Sequence, residues 1–260
     1  MAIRTEAWVT FDAVGGALRG LLVEPRTVSP WPAVLVLHPI VGVSPQIKAI
    51  AQGFADDGYL ALAPDLYTND LGYREIQVED IDLAHGGPKS PDWEERMARI
   101  PEPRRTAVRA AREWIERRAR GHELEGVHGA FRYLHDRADV TRIGCIGYCM
   151  GGELAGGLAA LGVELAAGVI FYGQSPNLAD VPKIRAPLEG HYGVTDRRIT
   201  AGVYDFALAM KAAGKHFAYS VYDAAHGFND PPPARGYNPE AARLANARAR
   251  AFLAKHLMPA

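Results

Sequence analysis

The chain has little cysteine, little net charge and no long apolar run. Only two cysteines, Cys145 and Cys149, occur in 260 residues. Four residues of extended strand would hold them about 13 Å apart, beyond disulfide reach, which argues against a redox pair. Lysine plus arginine number 29 against 30 aspartate plus glutamate, a formal net charge of -1. That balance argues against nucleic acid or an anionic membrane as the main partner. Arginines do crowd the stretch from Arg99 to Arg120, but glutamates interleave there and Val108, Ala111 and Ile115 recur at helical spacing. The stretch therefore reads as a solvated helix face. No apolar run follows the Met1-Ala2-Ile3-Arg4 start, and none approaches the roughly 18 apolar residues a membrane span needs. Neither export nor membrane insertion is indicated, and a cytoplasmic, reduced protein is expected. Repeats and low-complexity tracts are absent too. What is present, with 48% hydrophobic and 23% charged residues, fits one large core and hence a single domain over residues 1–260.

Strand and helix patterns alternate along it. Glu6 to Glu24 alternates polar and apolar residues around Gly15-Gly16 and predicts an antiparallel hairpin at a sheet edge. Beyond Pro30 and Pro32, Ala33 to Leu37 is a continuous apolar run, as in a strand buried on both faces. A helix fits Pro45 to Asp57, ended by Gly58, and Tyr59 to Ala63 reads as the next buried strand. Thr68 to Pro103 is polar, carries Gly86-Gly87-Pro88 and has no clean period. An irregular excursion over the sheet edge is expected across 68–103. Helices then fit Arg104 to Arg120 and Leu124 to Asp136, followed by a strand from Thr141 and a small-residue helix. Strands at Ala166 to Tyr172 and Pro187 to Tyr192, a helix at Ile199 to Ala213, a strand at Phe217 to Tyr222 and a helix at Pro239 to His256 complete the chain. The fold class is α/β: a mostly parallel central sheet with helices on both faces and an antiparallel N-terminal edge hairpin. In such a fold, function gathers at the carboxyl ends of strands.

The sharpest local signal is Gly147-Tyr148-Cys149-Met150-Gly151-Gly152, which follows the strand and opens the helix. It is a Gly-x-nucleophile-x-Gly turn, the nucleophile elbow of α/β-hydrolases with cysteine in place of the usual serine. So sharp a turn leaves no room for side chains two residues before and two after the nucleophile. The first helical N–H groups carry the positive end of the helix dipole, which favours a thiolate and stabilises a developing oxyanion.

A nucleophile needs a base in hydrogen-bond reach and a group that orients the base. In this fold the chain order is nucleophile, acid, histidine. Gly193-Val194-Thr195-Asp196 delivers one carboxylate at the end of a late strand, and Asp223-Ala224-Ala225-His226-Gly227-Phe228 delivers one histidine after the next. Singly, such residues are more often turn formers or surface groups. Jointly, behind the elbow, Cys149, Asp196 and His226 read as a catalytic set, with Asp223 the other carboxylate available as third member. His122, His128 and His135 lack metal-ligand spacing, and no metal site is expected. Cys145 reads as a small core residue of the strand.

Together with Ala63-Pro64-Asp65-Leu66-Tyr67 upstream and His226-Gly227-Phe228 downstream, the cysteine elbow resembles that of the dienelactone hydrolase family, the carboxymethylenebutenolidases. The resemblance runs from about Thr10 to Leu257, interrupted by the middle excursion. It implies hydrolysis of a lactone or small carboxylic ester by acyl transfer, without metal or organic cofactor. In that reading Cys149 is nucleophile, His226 base and then acid, and Asp196 its orienter. The backbone N–H groups of Ile40 and Met150 would form the oxyanion hole. Two departures stand out. The family commonly has a glutamate beside the oxyanion-hole residue, whereas this chain reads His38-Pro39-Ile40-Val41-Gly42. Either His226 and the helix dipole generate the thiolate directly, or His38 partly substitutes; His38 reads equally as a residue closing a strand end. Family members that act on dienelactone also hold its carboxylate with arginines, one of them a few residues after the histidine. Here Asn229-Asp230 follow, and Arg235 is the nearest basic residue. His38 and Arg235 are thus the candidates for substrate contact, while the register of Arg105, Arg109 and Arg112 nominates none of the three. Two other readings remain: a non-catalytic domain of this fold that binds a small molecule, and a peroxide-responsive thiol protein, for which no resolving cysteine is within plausible distance. The oligomeric state is not legible.

Overall fold

The computed structural model describes residues 5–84, 93–117, 121–232 and 236–258. Eight strands form one sheet: β1 (Glu6–Ala13), β2 (Gly16–Val23), β3 (Trp31–Leu37), β4 (Leu60–Asp65), β5 (Val140–Tyr148), β6 (Ala167–Phe171), β7 (Leu188–Gly193) and β8 (Phe217–Tyr222). Their spatial order is β1-β2-β4-β3-β5-β6-β7-β8. β1 pairs antiparallel with β2, and β2 antiparallel with β4. Every pairing from β4 across to β8 is parallel. Both the edge hairpin and the mostly parallel sheet match the sequence pattern. The helices are α1 (Pro45–Asp56), α2 (Leu71–Arg74), α3 (Val78–Ala84), α4 (Trp93–Arg99), α5 (Arg104–Arg117), α6 (His122–His135), α7 (Met150–Ala160), α8 (Arg197–Thr200), α9 (Val203–Ala212) and α10 (Pro239–Leu257).

The continuous apolar run of β3 serves two cores at once. Ala33, Leu35 and Leu37 pack into one, and Val34 and Val36 into the other, all fully buried. That is the period of two of a strand covered on both faces. Trp114 of α5, Phe131 of α6 and Leu158 of α7 close the first core. Phe54 of α1 and Leu253 of α10 close the second. Burial of each such side chain contributes about 1.5–3 kcal/mol. Two helices start where their caps say. The Ser44 side chain accepts from the Ile47 N–H with Pro45 in the first turn, and the Asn238 side chain accepts from the Ala241 N–H with Pro239. Such caps satisfy N–H groups that no preceding turn can reach.

Two local expectations need correction. The segment 68–103 is not irregular throughout: among its described residues lie α2, α3 and α4, with Ile81, Trp93 and Met97 buried in the first core. These helices are each too short for a periodic signal. Gly86-Gly87-Pro88 lie outside the described residues. The helix read from Ile199 to Ala213 is two, α8 and α9, with Ala201 capping the end of the first and Gly202 the start of the second. Apolar positions Ile199, Val203, Phe206 and Met210 keep period through the break, so spacing alone conceals it. A 3-10 helix, Leu178–Lys183, also stands between β6 and β7. Among the described residues, no helix is long and apolar enough to cross a membrane.

Candidate active site

β5 ends in the interior of the sheet, and Cys149 follows it at φ 55 and ψ -114. A cysteine adopts a positive φ only where its surroundings enforce it. The two glycines do so by absence: a Cβ on Gly147 would collide with the Gly151 carbonyl, and one on Gly151 with the Leu37 carbonyl. The Cys149 N–H donates to the Phe171 carbonyl at 3.0 Å, and its own carbonyl accepts from Gly152 and Glu153. The elbow is thereby locked between β6 and α7. Met150 opens α7, where the first N–H groups have no preceding turn to bond. Among the described residues neither its N–H nor that of Ile40, in the turn after β3, takes a backbone partner.

The other two residues come from adjoining loops at the ends of β7 and β8. The Val194 N–H donates to the Tyr222 carbonyl, and Thr195 bonds the Ala224 carbonyl through both its N–H and its hydroxyl. These bonds continue the sheet pairing past the strands and hold the two loops together. His226 Nδ1 lies 2.6 Å from Asp196 Oδ2, and His226 Nε2 lies 3.1 Å from Cys149 Sγ. The Asp196 side chain is only 8% exposed and that of His226 26%. The Asp223 carbonyl accepts from the Asn238 side chain at 3.0 Å. Burial of His226 opposes its charge, but the bonds to Asp196 and Cys149 outweigh it and push the imidazole up to about 10. A thiol, an imidazole and a carboxylate joined in this order can pass the sulfur's proton to nitrogen and stabilise the imidazolium that results.

The sequence profile of the Dienelactone hydrolase family matches residues 18–257. The chain belongs to this family. A Saccharolobus solfataricus protein provisionally named carboxymethylenebutenolidase is 31% identical over 95% of this chain and 98% of its own length. The carboxymethylenebutenolidase of Pseudomonas putida is 28% identical, over 95% of each chain. In fold, the crystal structure of a Klebsiella pneumoniae protein provisionally named dienelactone hydrolase superposes with a TM-score of 0.73. It covers 98% of this chain and all of that one at 22% identity. As a member of the dienelactone hydrolase family the protein is a hydrolase of ester or lactone bonds. The reading as a non-catalytic binding domain has no observation to favour it.

Within this dienelactone hydrolase fold the remaining candidates separate. His38 is fully buried. Its Nδ1 lies 2.7 Å from the Pro39 carbonyl and its Nε2 accepts from the Leu66 N–H at 3.2 Å. With both ring nitrogens engaged by backbone, it ties β3 to the segment after β4. Arg235 lies outside the described residues. Cys145 is fully buried in β5, as expected of a core residue.

Sequence reasoning missed a second group beside His226. Tyr172, at φ 38, sets its ring edge-on to the imidazole at 5.1 Å and donates its hydroxyl to Asp230 Oδ1 at 3.0 Å. Gln46 reaches the same carboxylate oxygen at 3.4 Å. Burial raises the Asp230 carboxyl above the ordinary aspartate value, against the bonds from Tyr172 and Gln46 and the charge of His226. No local motif announces this group, since Tyr172 and Asp230 are 58 residues apart. A groove of about 730 Å³ runs along α7, lined by Glu153, Leu154, Gly157, Gln174, Leu178 and Arg198 among others. It adjoins the trio and does not contain it: Glu153 is one turn past Cys149, and Arg198 two residues past Asp196.

Proposed function

We propose that the protein cleaves a lactone or small carboxylic ester by acyl transfer through Cys149. The observation that carries this reading is the continuous contact from Cys149 Sγ through the His226 ring to Asp196. His226 already holds the proton of the thiol at rest, and the sulfur bonds to the carbonyl carbon. The Ile40 and Met150 N–H groups receive the oxyanion. Collapse breaks the carbon–oxygen ester bond, and His226 returns the proton to the leaving alkoxide. Water then attacks the thioester with His226 again as base, freeing the acid and restoring the thiol. Asp196 holds the ring and stabilises its charged form without itself taking a proton.

The substrate in this reading is neutral around its reacting carbonyl. Four residues past the base the chain places the Asp230 carboxyl, which repels an anionic group where it is ionised and offers no cationic grip where it is protonated. The groove along α7 gives room for a part of the substrate remote from the ester. The cytoplasm is the proposed compartment, because two unpaired thiols suit a reducing milieu. Rapid acid quench after mixing with a panel of lactones and p-nitrophenyl esters, read by peptide mass, tests the proposal. Cys149 should gain the whole mass of a lactone but only the acyl mass of an aryl ester, and neutral substrates should load faster than carboxylate-bearing ones. Turnover that persists unchanged in Cys149→Ala excludes the mechanism.

A further inference from the structure

Pro39 to Gly42 forms a turn closed by the Gly42 N–H, which donates to the Pro39 carbonyl at 3.0 Å. Ile40, whose N–H the proposed mechanism uses, lies within it. The turn is also held from outside the sheet. The hydroxyl of Tyr73, in α2, donates to the Val41 carbonyl at 2.8 Å. Gly42 makes that reach possible, since a Cβ there would collide with the phenol, and its φ of 77 suits glycine.

Tyr73 is itself anchored. Its N–H donates to Asp70 Oδ1 at 3.0 Å, and Asp70 Oδ2 accepts from the Trp114 indole at 2.8 Å. Its ring packs 4.6 Å from that of Tyr67 and 5.4 Å from that of Trp114. Tyr67 continues the contact to both donor segments: its hydroxyl reaches Met150 Sδ at 3.3 Å, and its ring lies 5.0 Å from His38. Burial, with Asp65 nearby, pushes the Tyr73 phenol up to about 12, so it remains a donor at neutral pH. An oxyanion donor works only at about 2.7–3.1 Å from the charge it meets, so a turn free to shift by a fraction of an ångström loses much of its effect.

We propose that Tyr73 is a positioning residue for the oxyanion hole: through the Val41 carbonyl it fixes the turn that presents the Ile40 N–H. Acyl transfer then depends on its hydroxyl, while the nucleophilicity of Cys149 does not. This rests on the acyl-transfer reading above, and the two are separable by experiment. Pre-steady-state release of p-nitrophenol from p-nitrophenyl acetate measures acylation, which builds an oxyanion. Inactivation by iodoacetamide measures the same thiol in a displacement of iodide that builds none. Tyr73→Phe should slow acylation roughly 10- to 100-fold and leave the alkylation rate within about twofold. Asp70→Asn, which keeps one carboxamide oxygen as acceptor and leaves the hydroxyl in place, should show a smaller loss in the same direction. Equal slowing of both reactions, or Cys149-dependent acylation indifferent to Tyr73→Phe, overturns the positioning role. Acylation that survives Cys149→Ala overturns the acyl-transfer reading, and the role of Tyr73 with it.

Discussion

Two cysteines four residues apart on one strand and its turn show how position decides the chemistry of a side chain. Cys145 is enclosed between the sheet and α7, with Sγ 3.9 Å from the Ala155 carbonyl, and burial pushes its thiol up to about 12. Cys149 stands where β5 has ended, is partly accessible, and has an imidazole 3.1 Å from its sulfur. The first is a small apolar filler; the second meets a proton acceptor and the open end of a helix. The difference comes from one backbone event, the passage from extended residues to φ 55 between two glycines.

The hardest test of that contrast is Cys149→Ala, which should abolish ester hydrolysis while the circular dichroism spectrum and melting temperature stay near those of the parent. Activity equal to the parent on any substrate would sink the proposed role. Next in size, Asp196→Asn should lower kcat by about 10²- to 10⁴-fold by leaving the imidazole badly oriented. An unchanged pH–rate profile on one activated ester would assign the orienting role to another carboxylate. Third, iodoacetamide should modify Cys149 and spare Cys145 by peptide mass. That modification should draw on His226 as the partner of the sulfur. It should slow by about tenfold in His226→Ala and fall in Pro39→Glu, where a carboxylate beside the thiol competes for the imidazolium. A rate equal in parent and His226→Ala would dismiss the activation of the thiol by the imidazole.

A smaller effect concerns stability against pH. His226 rises from 6.5 to about 10 in the fold, so the native state holds a proton that the unfolded chain releases between those values. Its contribution is complete below about pH 6.5 and is lost as the pH climbs through about 10. Urea midpoints should therefore fall across that window more steeply in the parent than in Asp196→Asn. Smallest of all, Cys145→Ala should cost about 1 kcal/mol of stability, a drop of roughly 2–4 °C in melting temperature, with kcat unchanged. A loss of activity beyond the loss of folded protein would erase the distinction between the two thiols.

Legibility in the sequence followed the range of the interactions involved. The elbow, the caps at Ser44 and Asn238 and the two-sided strand Ala33 to Leu37 are local, and composition over a few residues announces them. Asp196 and His226 were found because each follows a strand in a topology that brings strand ends together. The bond from Tyr73 to Val41 spans 32 residues and starts in a helix of four. It leaves no periodic trace. Tyr172 with Asp230 was equally silent, and so were the backbone partners of both His38 ring nitrogens. α3 and α4 escaped because seven residues make barely two turns, too few for apolar spacing to repeat.

The stitched loops that carry Asp196 and His226 also say where the site is free to move. Val194 and Thr195 bind the His226 loop directly, so the carboxylate and the imidazole ride on one body at the outer half of the sheet. Cys149 rides on another, wedged between β3, β6 and α7. The 3.1 Å contact between sulfur and Nε2 therefore bridges the two bodies, while the 2.6 Å bond between Nδ1 and Asp196 lies within one of them. The joint through which the proton must pass is the looser of the two.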